Sequence, residues 1–239
     1  MSNLSYTKEF FLLAVTNKGK IPVFKSAKVY SCLIAGGMTE LYTKGMISKN
    51  EEDEFVSNNR FDESNVHLFP LYEIIKSADK PINMREIAES YYKLCSGKKL
   101  AQLEESFRDM LVSKNAKMEI KTGFFRSKTG FAPKPEKIEE ITRKIHTQFF
   151  GFETLSTDTI CLVDLLCKST LAQKHFSKDD VKRLKTRLEE LSAAGAYAAE
   201  KQLLDHAFDT VEELIEEMAW DDDDDFTDFV VIGLATGLF

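Results

Sequence analysis

The sequence lacks the patterns that would place it in several common classes of protein. No apolar run reaches 18 residues, so no membrane-spanning helix is expected. The start of the chain has no basic segment followed by a signal-like apolar stretch. The four cysteines form no Cys-x-x-Cys pair, and the four histidines are scattered. We therefore expect reduced core thiols in the cytoplasm, with no metal and no cofactor.

Motifs that carry enzyme chemistry are also missing. The run Ser96-Gly97-Lys98-Lys99 lacks the upstream glycine of a phosphate-binding loop. Ala35-Gly36-Gly37 lies inside a predicted helix, where small residues allow close helix packing. Asp158 and Asp164 could form a carboxylate pair, but a helix cap and an acid on a helix surface explain them better. The sequence therefore favours a protein that is not an enzyme.

Positive charge is absent from the end of the chain. Lys201 is the last cation, and 12 acids follow it between Gln202 and Phe239. Residues 1–201 carry 32 basic and 27 acidic groups, so the net charge of −7 averages a mildly basic body and an acidic end. Asp221 to Asp225 are predicted to form a solvated loop before a short closing helix. The basic excess is too small, and too poor in interleaved arginine and aromatic residues, to predict a nucleic-acid partner.

The apolar residues recur at helical spacing along most of the chain. This pattern predicts a mostly α-helical, single globular domain over residues 1–239, with a projecting β-hairpin at about residues 116–133, where apolar and polar residues alternate around Thr122-Gly123. A smaller hairpin is predicted near residues 46–56. The predicted helix-ending signals are Gly45 and Gly97, and the predicted N-caps are Asn83, Asp158 and Ser177.

Several stretches of the sequence, none of them specific alone, follow one another in a recognisable order. They are Leu4–Val15 (LSYTKEFFLLAV), Leu33–Ile47 (LIAGGMTELYTKGMI), Phe107–Asn115 (FRDMLVSKN), Leu162–Leu166 (LVDLL), Val181–Lys185 (VKRLK) and Phe229–Phe239. Together with the hairpin they resemble the Golgi phosphoprotein 3 family of peripheral membrane proteins. The resemblance covers nearly the whole chain and implies one mostly helical domain with a projecting hairpin.

The resemblance also implies a function, and it shows where this chain departs from the family. Eukaryotic members bind phosphatidylinositol 4-phosphate on Golgi membranes and act as adaptors that retain glycosyltransferases. Their head-group pocket uses one tryptophan and three arginines. Here the tryptophan position falls at Phe24 or Lys25, and the arginine positions fall at Ile34, Ala101 and Glu104. Bidentate recognition of phosphate is lost without these guanidinium groups. Such differences fit a distant member of the family, for example a bacterial one.

The first hypothesis is a peripheral protein on an anionic phospholipid surface. The family inserts its hairpin tip into the bilayer, and two phenylalanines here would supply about 1.5–3 kcal/mol each. Nearby cations would add about 1 kcal/mol each, so a second contact is needed for stable attachment. The candidate hairpin residues are Phe124, Phe125, Lys121, Arg126 and Lys128. The candidate head-group or anion site comprises Phe24, Lys25, Lys28, Lys98 and Lys99.

The second hypothesis is a soluble oligomeric interaction protein. Its hairpin would serve as an assembly arm, and Phe124 and Phe125 would pack on the body or on a neighbouring subunit of a homo-oligomer. Both hypotheses remain open from the sequence alone.

Overall fold

The computed structural model of the chain describes residues 4–22, 25–92, 96–113, 117–122 and 128–220. Within these residues the predicted mostly-α fold with a β-hairpin is confirmed. The helices are α1 (Tyr6–Ala14), α2 (Ser26–Thr43), α3 (Phe69–Lys76), α4 (Met84–Tyr92), α5 (Ser96–Ser113), α6 (Pro135–Phe150), α7 (Thr157–Lys168), α8 (Ala172–His175), α9 (Lys178–Ala193) and α10 (Ala198–Trp220). The strands are β1 (Ile47–Lys49), β2 (Phe55–Ser57), β3 (Lys117–Thr122) and β4 (Lys128–Pro133).

The chain divides into two compact units, each made from two stretches of sequence. The first unit comprises Met1–Lys25 and Leu111–Gln202, and the second comprises Ser26–Met110 and Leu203–Phe239. The assignment of residues 1–239 to a single domain stays a prediction.

The core of the first unit is built around α1. Every residue of α1 is buried, including Lys8 and Glu9, and the helix packs against α7. Lys144 of α6 forms an ion pair with Glu9, although burial still raises the pKa of the Glu9 carboxyl. Because α1 is buried on every side, it lies inside the core of the first unit.

The hairpin at residues 116–133 is confirmed, and its base is attached to α1. Strands β3 and β4 pair in antiparallel register from Lys117 opposite Pro133 to Thr122 opposite Lys128. The buried Phe131 ring stacks on Phe11 with 6.0 Å between ring centres. The predicted tip residues Phe124, Phe125 and Arg126, and the side chains of Lys121 and Lys128, lie outside the described residues.

The second unit shows the close helix contact that its small residues predict. A Cβ atom placed on Gly37 of α2 would lie 2.4 Å from Cδ1 of Leu71 in α3. Gly45, with φ +67°, follows the end of α2, and its N–H donates to the carbonyl of Tyr42 at 2.9 Å. The N–H of Met46 donates back to Leu41 at 2.9 Å, which completes a Schellman motif. The prediction for Gly45 is confirmed.

Two of the three predicted helix caps are confirmed. The N–H of Glu86 donates to Oδ1 of Asn83 at 2.9 Å, and the N–H of Asn83 donates back to Glu86 at 3.0 Å. This reciprocal pair is a capping box at the start of α4. Ser177 caps α9 by accepting from the N–H of Asp180 at 3.1 Å.

The predictions for Asp158 and Gly97 are wrong. Ser156 is the N-cap of α7, since its hydroxyl accepts from the N–H of Thr159 at 3.2 Å. Asp158 lies inside the first turn, where its negative charge interacts favourably with the helix dipole but does not cap the helix. Gly97 lies inside α5, at its first turn, and therefore does not end a helix.

Candidate functional site

Cationic side chains of the first unit meet at the carboxyl end of α1. Lys174 Nζ donates to the carbonyls of Leu13 at 3.0 Å and Val15 at 3.1 Å. His175 Nε2 donates to the same Leu13 carbonyl at 2.8 Å. The last carbonyls of a helix lack partners within the helix and carry the negative end of its dipole. This end of α1 therefore attracts the Lys174 ammonium group and accepts from the His175 ring.

Lys25 joins these two residues, and the three together are called the α1 cluster. Its Nζ donates to the carbonyl of Thr170 at 3.1 Å. Burial lowers the pKa of Lys174, and the charge of Lys25 lowers it further. Burial also lowers the pKa of His175, and the charges of Lys174 and Lys25 lower it further. The hydrogen bond to Leu13 raises this pKa but does not outweigh them. The cluster thus brings the two lysine charges together, and a bound anion would relieve their repulsion.

The α1 cluster retains donors for such an anion. No carboxylate among the described residues forms an ion pair with Lys25, Lys174 or His175. An ammonium group has three N–H donors, so one on Lys174 and two on Lys25 stay available after these carbonyl contacts. The Lys174 side chain is exposed as a whole although its ammonium group is partly buried, while Lys25 and His175 are half-buried. A phosphate, sulfate or carboxylate group is the chemistry that fits this arrangement.

The other predicted head-group residues are not part of the α1 cluster. Phe24 lies outside the described residues. Lys28 is exposed on α2, and Lys98 and Lys99 lie in the first turn of α5, all in the second unit. None of these three lysine side chains forms a hydrogen bond or ion pair with another described residue. Among the predicted head-group residues that the structure describes, Lys25 alone belongs to the α1 cluster.

The positions that the resemblance assigns to the family's arginines carry different chemistry. Ile34 is fully buried. Glu104 Oε2 accepts from the Tyr30 hydroxyl at 2.6 Å, and its other oxygen pairs with Arg108 one turn along α5. Burial, followed by the nearby Glu104 carboxylate, raises the pKa of Tyr30. A carboxylate that already holds a hydroxyl and a guanidinium opposes the binding of phosphate at this position.

Asp164 differs from its predicted place on a helix surface. It is buried, and the Tyr197 hydroxyl donates to its Oδ2 at 3.2 Å. It lines a cavity of about 430 Å³ together with Lys185 and Lys201. Asp158 is exposed, so the two carboxylates have different surroundings and do not form a matched pair.

The thiols agree with the expectation of reduced core cysteines. Cys32 and Cys161 are buried and Cys167 is half-buried, all three as free thiols, while Cys95 lies outside the described residues. Burial raises the pKa of Cys167 to about 11, so this thiol stays protonated at neutral pH. Across the described ranges, no three His, Cys, Asp or Glu side chains are grouped to hold a metal ion. The helices in those ranges are too short or too polar to cross a membrane.

Titration of His175 predicts a pH-dependent stability. Because burial lowers the pKa of His175 below its usual value near 6.5, the unfolded chain binds this proton more tightly than the folded chain. Its contribution is therefore present above pH 6.5 and is lost as the pH falls through the folded pKa. In urea unfolding between about pH 5 and 7, wild type should gain more stability with rising pH than His175→Gln, which keeps a donor for Leu13. The matched control is the exposed His206→Gln, and equal pH dependence of wild type and His175→Gln would contradict the prediction.

Comparison with known proteins adds one finding. A family model described as Golgi phosphoprotein 3 (GPP34) matches residues 7–214, which is most of the chain. The matched range includes all of α2–α9, both hairpins and most of α1 and α10. No curated protein matches the chain.

Proposed function

The chain belongs to the Golgi phosphoprotein 3 family, and on that premise we propose that it is a peripheral protein that binds anionic phospholipid membranes. The α1 cluster is the observation that carries this proposal. Lys25 and Lys174 concentrate positive charge beside His175, and the free N–H donors of the two lysines can bind a lipid phosphate or carboxylate. The family's ligand, phosphatidylinositol 4-phosphate, is not proposed for the family's pocket here, because Glu104 stands at an arginine position.

The hairpin supplies the second part of the proposal. Phe124 and Phe125, with Lys121, Arg126 and Lys128 beside them, are proposed from the sequence to enter the bilayer. Two weak contacts on one body bind a surface far more tightly than either contact alone. The proposed place of action is the cytoplasmic face of a membrane. The proposed role includes no catalytic step and no nucleic-acid partner.

The test is sedimentation with phosphatidylcholine vesicles that contain or lack phosphatidylserine, at low salt. Wild type should bind the anionic vesicles, and the double variant Lys25→Met/Lys174→Met should bind about 30-fold more weakly, from about 1 kcal/mol for each lost cation. Lys28→Met/Lys98→Met removes the same charge from exposed positions outside the cluster and should weaken binding less. Circular dichroism must show that each variant is folded.

The outcomes separate the two hypotheses. Equal losses in the two double variants would remove the α1 cluster as the binding site. Absence of wild-type binding to anionic vesicles at low salt would end the membrane proposal. A homo-oligomer that is lost in Phe124→Ala/Phe125→Ala, together with no vesicle binding, would favour the assembly role instead. Light scattering after size-exclusion chromatography measures that oligomer.

A further inference from the structure

A second face of the first unit combines an exposed aromatic ring with cations. The α6–α9 face consists of Phe150 at the end of α6, Phe152 in the following loop, and Lys182, Arg183 and Arg187 of α9. Phe152 is fully exposed, at 110% of its reference area. The other exposed large apolar side chains in the described ranges are 37–46% exposed. No described residue therefore covers the Phe152 ring.

The cations of this face are arranged around an aromatic surface. The guanidinium carbon of Arg183 lies 4.1 Å from the centre of the Phe150 ring, which is a cation–π contact. Lys182, Arg183 and Arg187 line a groove of about 500 Å³ together with Phe149 and Phe150. The groove can therefore accept an anionic group beside an apolar surface.

The charge of the face is positive although acids are present. Residues 178–187 contain five cations and two acids. Asp179 and Glu190 also line the groove. Glu190 accepts from Arg187 at 2.7 Å, and Asp180 accepts from Arg183 at 3.5 Å.

The ammonium group of Lys182 is available to a ligand. It forms no ion pair with any other described residue, although it lines the same groove as Arg183 and Arg187. An anion at this point would meet Lys182 first and the paired guanidinium groups beside it.

We propose that the α6–α9 face is a further contact site for anionic phospholipid, separate in sequence from the hairpin tip and from the α1 cluster. The lipid phosphate enters the groove at Lys182, and the Phe152 ring enters the boundary between head groups and acyl chains. The inference rests on the proposed membrane function and adds a site to it.

A bilayer suits this face better than an acidic protein does. Phe152 is exposed two residues beyond Phe150, whose ring contacts Arg183. An exposed aromatic ring with long cationic side chains on neighbouring elements is the pattern of an interfacial anchor. An acidic protein would satisfy the cations but would need an apolar cavity of its own for Phe152. The need for more than one weak anchor also favours a lipid contact here.

The first experiment measures the partition coefficient on phosphatidylcholine vesicles with and without phosphatidylserine. Phe152→Ser should lower the coefficient on anionic vesicles about tenfold, and Lys182→Gln should lower it about fivefold. Val66→Ser, which removes another exposed apolar side chain, and Lys98→Gln, which removes another cation without a described partner, are the matched controls and should lower the coefficient less.

A second readout reports insertion directly. Phe152→Trp should be quenched by lipids brominated in the acyl chain beyond the quenching seen in wild type. If the hairpin or α1-cluster variants lose binding while Phe152→Ser and Lys182→Gln match wild type, this inference is overturned and the proposed function stands. If wild type does not bind, both fail. Binding of polyglutamate at this face, without quenching by brominated lipid, would assign the face to an acidic protein and overturn the inference as well.

Discussion

Replacing Gly19 with alanine is expected to lower the free energy of unfolding by about 3 kcal/mol. Gly19 has φ +74°, a conformation that residues with a side chain rarely adopt. A Cβ atom at this position would lie 1.5 Å from the carbonyl oxygen of Phe131, a backbone atom at the base of the hairpin. Because a backbone atom cannot rotate away, the loop after α1 and strand β4 must separate. Separation would also loosen the contact between Phe131 and Phe11.

The matched control for this variant is Gly45→Ala. Gly45 has φ +67°, and a Cβ there would meet no atom within 4 Å. Its substitution should therefore cost only the backbone strain, about 1 kcal/mol. Urea unfolding followed by circular dichroism measures both variants. Equal losses would mean that the contact with Phe131 contributes nothing beyond the strain at Gly19.

Replacing Glu40 with glutamine is expected to destabilise the second unit by a similar amount, about 3 kcal/mol. The Glu40 side chain is 1% exposed, and its Oε1 accepts from Lys44 Nζ at 2.5 Å. His67 Nε2 lies 3.9 Å from the same oxygen. Although burial raises the pKa of Glu40, His67 and Lys44 outweigh it and lower that pKa to about 2. Glutamine keeps the shape but leaves these partners without a negative charge.

The pH dependence of this effect has a definite sign. The folded pKa of Glu40 is below its usual value of about 4.5, so the unfolded chain binds the proton more tightly. The stabilisation is therefore present above about pH 4.5 and is lost as the pH falls toward 2. The difference in unfolding free energy between wild type and Glu40→Gln should shrink over that range. A constant difference would show that Glu40 acts through its shape and not through its charge. Asp53→Asn, at an exposed ion pair with Lys49, is the control and should change stability little.

The sequence predicts those elements whose signal is local. The helical spacing of Val181, Leu184 and Leu188 is enough to predict α9, because one apolar face suffices to define a helix. The alternation around Thr122 predicts the hairpin for the same reason. Gly45 is predicted correctly since a left-handed residue after a helix is a local requirement.

The misplaced or missed residues depend on contacts between distant parts of the chain. Asp164 is buried by its contact with Tyr197, 33 residues away, and its own helix gives no sign of this. Lys174 and His175 gain their role from carbonyls more than 150 residues earlier. The adjacency of a lysine and a histidine is the local signal that the sequence offers for them. Ser156 and Asp158 both have side chains suited to capping, so only the backbone geometry decides between them.

The assembly of the first unit from two stretches of chain has a consequence for its synthesis. α1 is complete at Ala14, but α7, against which it packs, begins only at Thr157. At about 5–20 residues per second, the interval between them lasts roughly 7 to 30 seconds. During this part of translation the surface around Phe10 and Leu13 therefore has no partner helix to pack against. A nascent chain of this protein offers chaperones an apolar amino-terminal segment long before its own fold can cover it.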